Sequence, residues 1–274
     1  MIFKKQSFSP NLSKFFSRQG EAIDARHKRC AAWWRPHLTN CRDYIERHLP
    51  KSKSVAVLGA GRLLDIDPDL LLSRCETVHL FDADQTAVRY WQSRFGSTHR
   101  DRLVFRNLDL TDCLDHWIRS LPRAAPTNYL NSLEAPVPEW SKEPFDGYIS
   151  LNLLGQIPLY WRDRVVDQYS DISPEESQAL VNSMGQLQEA HLRALISGKD
   201  RWSILLTDTE YYFYHCDRSE WRVEPALFGK AADLYAREFA KLPAGEAWLW
   251  HIAPQFIEDD AEGEIHRVEA RFRR

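Results

Sequence analysis

The stretch VAVLGAGRLLDID, residues 55–67, decides how the chain is read. Apolar residues run into Gly59-Ala60-Gly61, the pattern of a buried strand that ends in a sharp turn. Lacking Cβ, two glycines let the turn adopt dihedrals closed to other residues and let a ligand reach the backbone, with the amides of the following helix pointing outward to it. Where a third small residue would complete a dinucleotide fingerprint, the chain has Leu64. That departure weakens the case for a pyrophosphate-bearing cofactor and favours a smaller adenosine-type ligand.

Outward from this strand, TVHLFD, LVFRNLDL, FDGYISLNLL and WSILLTD alternate with the helical patterns LLDIDPDLLLSRC, QTAVRYWQSRF, LDHWIRSL and PEESQALVNSMGQLQEAHLRALISG. Ser173-Pro174 and Gly198 punctuate the last of these as helix start and stop. The rhythm predicts a doubly wound α/β fold with a mostly parallel sheet. EAWLWHIA and IHRVEARFRR, separated by an acidic stretch, read as a closing antiparallel pair, which brings the expected sheet to seven strands. Residues 1–50 read as an N-terminal helical extension or lid, with Trp34, Leu38, Cys41, Tyr44, Ile45 and Leu49 on one face, and residues 51–274 as the sheet domain. Two segments, near residues 122–144 and 211–229, exceed the needs of such a fold; the first, rich in proline, reads as a surface excursion.

Composition bounds the function. The 274 residues, 43% of them hydrophobic, suffice for one large core, and no apolar run approaches the roughly 20 residues of a membrane span. The opening residues lack a secretory signal pattern, so the cytoplasm is the expected compartment. With 36 basic and 39 acidic side chains, the chain carries no general footprint for nucleic acid; a small-molecule partner is the expectation, and the oligomeric state stays open. The five cysteines are scattered without metal-ligand spacing, and no metal site is expected.

Two further strand ends carry polar groups. FDAD places Asp82 where a carboxylate can accept from both ribose hydroxyls, while Asp84 suits the N-cap of the next helix. NLDLTD places Asp109 where it could receive an adenine amine or serve as an ordinary turn aspartate.

With these residues in view, the chain resembles the class I (Rossmann-like) S-adenosylmethionine-dependent methyltransferases over about residues 54–160. VAVLGAGR is similar to their glycine-rich first motif, FDAD to the acidic second, NLDLTD to the third and FDGYISLNLLGQIP to the fourth. The resemblance implies S-adenosyl-L-methionine as cofactor, held by Gly59, Ala60, Gly61, Asp82, Ala83, Asp109, Leu110 and Asn152. It departs in lacking an acidic residue before the glycines, where Val57-Leu58 stand, so contact with the methionine amino group must come from elsewhere. The fourth motif reads Asn152-Leu153-Leu154-Gly155 rather than the Asn-Pro-Pro-aromatic run of base amine methylases.

Methyl transfer from a sulfonium needs an aligned nucleophile and little else from the protein. Asn152, Tyr211 and His37 are the catalytic candidates, His37 as a residue of the lid; Asp208, Glu210 and Tyr212 are possible bases near the same cleft. A capping Asp208, a packed Tyr211 and a structural His37 are the plainer alternatives. Two competing readings remain: a nicotinamide-dependent oxidoreductase on a similar sheet, and a non-catalytic member that binds a protein through a Trp-rich surface.

Overall fold

The structure, a computed structural model, describes residues 9–95, 99, 101–124, 126–169, 171–198, 200–259 and 261–274. Two helices come first, α1 (Pro10–Arg29) and α2 (Ala31–His48). Then β1 (Ser52–Leu58), α3 (Pro68–Arg74), β2 (Cys75–Asp82), α4 (Gln85–Phe95), β3 (Leu103–Asn107), α5 (Leu114–Arg119), α6 (Thr127–Ser132) and β4 (Gly147–Leu151) follow. The chain continues through α7 (Leu159–Gln168), α8 (Pro174–Ile196), β5 (Trp202–His215), β6 (Arg218–Pro225), α9 (Lys230–Glu238), β7 (Glu246–Ala253) and β8 (Gly263–Arg273).

The strands form one sheet in the order β3-β2-β1-β4-β5-β8-β7, with β6 hung on β5. β1 to β5 pair in parallel, whereas β8 runs antiparallel between β5 and β7. The seven-strand path is the predicted one, and β6 is an eighth strand. Alternation explains the layers: Ala56 and Leu58 of β1 join one apolar cluster with α5 to α9, while Val55 and Val57 join another with α2 to α4. A strand buried on both faces reads as a continuous apolar run, which is why VAVL was legible.

Several predicted boundaries change. β5 does not stop at Asp208 but runs through the aromatic run to His215 and turns back as β6, so residues 211–225 are a hairpin extending the sheet. The proline-rich segment is no surface excursion: Leu130, Leu133 and Trp140 are buried in the larger core, and the Trp140 indole donates to the Leu110 carbonyl at 2.9 Å. Seven of the ten tryptophans lie in the interior, which reduces the expected Trp-rich surface to Trp33 and Trp221 as large exposed rings. Helix α8 starts as predicted, with a reciprocal capping box between Ser173 and Glu176.

Helix α1 is what positions the site. Its Leu12 packs into the core beside α5 to α9, and its Ile23 reaches the separate cluster of Trp34, Trp250 and Ile252. Its 20 residues, about 30 Å of helix, therefore bridge the two layers over the carboxyl ends of the strands. Because Trp140 is core rather than decoration, Trp140→Ala should cost about 3–5 kcal/mol in urea denaturation; a loss below about 0.5 kcal/mol would return the segment to the surface.

Candidate active site

A cavity of about 980 Å³ opens at the carboxyl ends of β1, β2, β4 and β5 beneath α1. This is the switch point of the sheet, where β1 is followed in one direction by β2 and in the other by β4. One face of α1, with Phe15, Phe16, Gln19, Gly20 and Ile23, forms its cover, so the covering helix is α1 rather than α2. Gly59, Ala60, Gly61, Asp82, Ala83, Asp109, Leu110, Asn152 and Tyr211 all line it; His37 does not.

The glycine turn is strained and fully occupied. Gly59, Gly61 and Leu63 have φ of 71°, 46° and 58°, and a Cβ on Gly59 would stand 2.9 Å from that of Leu153. The amides of Gly59 and Ala60 both donate to the Phe81 carbonyl, at 3.0 and 3.1 Å, and that of Leu63 to Ala60. The Gly61 amide donates to Asp82 Oδ2 at 2.7 Å, and Asp82 Oδ1 accepts from the Asp84 amide at 2.8 Å. Burial raises the Asp82 carboxyl to about 6, with these two amides partly offsetting it. The helix expected straight after the glycines starts only at Pro68. A pyrophosphate would find no free amide at Gly59, Ala60 or Gly61.

Asp84 accepts from the Thr86 amide at 2.7 Å and caps α4, as predicted. Asp109 is the turn aspartate of its two readings: Oδ1 accepts from the Thr111 amide and hydroxyl, and Oδ2 from the Leu114 amide, which shapes the entry to α5. Tyr212 and Glu210 bond to each other outside the cavity lining, so neither is placed as a base for it.

His37 is not a lid residue. It is fully buried, stacked on Trp250 with ring centroids 3.9 Å apart, and its Nδ1 accepts from the Trp248 indole at 3.0 Å. An indole only donates, so the imidazole proton sits on Nε2, which faces Asp65 Oδ1 at 3.1 Å. His37, Cys41 and Asp65 place potential ligand atoms within 4.8 Å of one another. The nitrogen that would bind an ion carries the proton, so the cluster is a hydrogen-bonded support. It packs against Asn152, whose Nδ2 lies 3.3 Å from the same nitrogen, a contact of two N–H groups rather than a hydrogen bond, and whose backbone takes a φ of 45°. Asn152 Oδ1 is buried with no hydrogen-bond partner among the described residues.

Sequence reasoning named Asp208 and Tyr211 near the cleft but missed His266 and Glu264, which join them in its wall. His266 Nδ1 lies 3.1 Å from Asp208 Oδ2, and its Nε2 2.8 Å from Glu264 Oε1. Burial lowers the imidazole's pKa, but the two carboxylates outweigh it and bring it up to about 9. The Tyr211 ring packs 4.5 Å from His266; burial, then Asp208 and Glu264, push its hydroxyl upward, so it stays protonated. A β-bulge between Asp208 and Glu210 explains how Asp208 and Tyr211 share a side: three residues apart on a regular strand, they would face opposite ways. The only sequence signal was the density of ionisable residues in IHRVEARFRR, with nothing to say which faced inward.

The His266 contacts carry a pH signature. A folded value of about 9 against an ordinary 6.5 stabilises the fold fully below pH 6.5 and is lost as pH rises through 9, on the order of 3 kcal/mol. Melting temperature should therefore fall between pH 7 and pH 9.5, and His266→Gln should be less stable at pH 7 and lack that fall; an unchanged pH profile in the variant would refute the assignment.

No family model matches the chain, and no curated protein matches it in sequence. Among solved structures, it is similar to the N-methyltransferase NodS from Bradyrhizobium japonicum WM9, at 10% identity and a TM-score of 0.39, covering 88% of this chain and 96% of that one. It is similar to the protein of a DhpI-SAM-HEP complex, at 12% identity and 0.36, covering 96% and 99%. An rRNA methylase from Streptococcus thermophilus is similar at 14% identity and 0.33, covering 84% and 92%. By its strand order and its reversed β8, the chain has the doubly wound, mostly parallel sheet with an antiparallel last strand that the sequence resemblance implies.

Proposed function

We propose that the protein is an S-adenosyl-L-methionine-dependent methyltransferase acting on a small molecule. The observation that carries this reading is electrostatic. Eight carboxylates line the cavity against three guanidiniums and His266, and the glycine-turn amides are spent internally. Such a site repels a pyrophosphate and suits a cationic ligand, which favours a sulfonium over a nicotinamide dinucleotide. S-adenosyl-L-methionine, when bound, supplies a methyl group already activated by its sulfonium.

The residues present fit that ligand. Each Asp82 oxygen has one amide partner and keeps acceptor capacity for a ribose hydroxyl, while Ala83 and Leu110 offer apolar flanks for the adenine. Asn152 lines the same cavity and offers a side-chain amide to the methionine end of the ligand, where β1 supplies no acidic residue. Helix α1 excludes water and is latched by Arg62, which pairs with Asp24 at 2.8 Å and donates to the Thr86 carbonyl at 2.7 Å. A cavity roofed by a helix supports a small-molecule acceptor over a macromolecular one. Among the described residues no helix is long and apolar enough to cross a membrane.

Calorimetric titration with S-adenosylmethionine, S-adenosylhomocysteine and NAD tests the reading. The first two should bind in the micromolar range, at least about tenfold more weakly to Asp82→Ala, a loss of about 1.4 kcal/mol. Affinity should also fall as pH is lowered through about 6, because only the ionised Asp82 accepts two hydroxyl protons. Binding of NAD alone would favour an oxidoreductase, and binding of none would leave a non-catalytic member of the fold.

A further inference from the structure

At about 980 Å³ the cavity is at the upper end of the range for ligand sites. Asp208, Tyr211 and His266 line it together with the apolar side chains of Phe213, Leu180, Met184 and Phe228. The polar group is unusual in its charge. Asp208 has a side chain only 1% exposed, and neither of its oxygens accepts an aligned hydrogen bond among the described residues. Its one close partner is the His266 ring, which it shares with Glu264. Two carboxylates around one imidazolium leave a net charge of about −1 in a site screened from water.

Tyr211 converges on the same point. A Cβ on Gly155 would stand 2.5 Å from the Tyr211 hydroxyl and 3.5 Å from Asp208 Oδ2, so both groups close over the backbone that follows Asn152. This is why the fourth motif ends in a glycine. Tyr211 lines the cavity, with its hydroxyl over Gly155 beside Asp208.

We propose that the methyl acceptor is an amine carried on an apolar body, bound as its ammonium by Asp208 and Tyr211 with the body against the apolar lining that includes Phe213 and Phe228. This rests on the methyltransferase reading. A buried carboxylate short of donors is costly, and an ammonium brings both the charge and three N–H groups that relieve it. An anionic acceptor would face the net negative charge of Asp208 and Glu264, and a neutral hydroxyl would bring a single donor and no charge. For transfer, one ammonium proton passes to Asp208 and on to solvent. The freed nitrogen lone pair forms the N–C bond, and the electron pair of the broken C–S bond stays on sulfur. The product is a methylated ammonium and a neutral thioether.

The test uses the full chain with three probes of equal length, octylamine, octanol and octanoate, titrated calorimetrically in the presence of S-adenosylhomocysteine. Octylamine should bind at least about tenfold more tightly than either analogue, and Asp208→Asn should erase that preference. Tyr211→Phe, which removes one hydroxyl and keeps the ring, should weaken octylamine by about threefold to tenfold and leave octanol unchanged. Circular dichroism and melting of each variant establish that it folds; if Asp208→Asn does not, Tyr211→Phe decides alone. Equal affinity for the three probes, no octylamine binding, or a preference that survives both variants would overturn the proposal. S-adenosylhomocysteine binding, titrated separately, tells the two readings apart. If it binds and the amine preference is missing, only the acceptor assignment fails; if it does not bind, the methyltransferase reading fails.

Discussion

Two backbone amides, those of Gly61 and Asp84, converge on the carboxylate of Asp82. This contact ties the turn after β1 to the turn after β2, and with the Phe81 carbonyl it uses up the donors that the glycines would otherwise offer to a phosphate. The left-handed dihedrals of Gly59, Gly61 and Leu63 persist because these bonds hold them. What faces the cavity is then a carboxylate rather than an amide nest. The excess of carboxylates over cationic side chains along the cavity wall starts at that exchange.

The rest of the site extends the same principle along the strand ends. Asn152 takes a positive φ at the end of β4, backed by the His37, Trp248 and Trp250 cluster, and Asp208 stands at the end of the parallel part of β5. Helix α1 closes over them, held by Arg62 on one side and by Arg26 and Arg29, which share Glu258, on the other. These ion pairs are partly solvated and each stabilises only modestly. The apolar anchoring of Leu12 and Ile23 therefore carries most of the lid's attachment.

How much was legible followed from the range of the interactions. The β1 to β4 core strands, the capping box of α8 and the capping role of Asp84 depend on neighbours within a few residues, and the sequence shows them directly. The local reading also left Asp109 with two roles, and the bonds to Thr111 and Leu114 chose the turn. The proline-rich segment misled because loop composition marks turns but does not say whether Trp140 between them points inward. His37 misled for a similar reason. An amphipathic helix shows which face is apolar, but a histidine on that face can meet a ligand or two tryptophans from the far end of the chain.

By itself, the sequence determined the α/β alternation, the reversed final pair and the sharp glycine turn after β1, since periodicity and backbone freedom are local properties. Only the tertiary structure decided what that site is made of. His266 meets Asp208 because β8 runs antiparallel to β5, and Asp208 shares a face with Tyr211 because a bulge shifts the register between them. Strand pairing and register arise from contacts between distant segments. The charge and shape of the cavity, and with them its choice of ligand, come into being only when the chain closes.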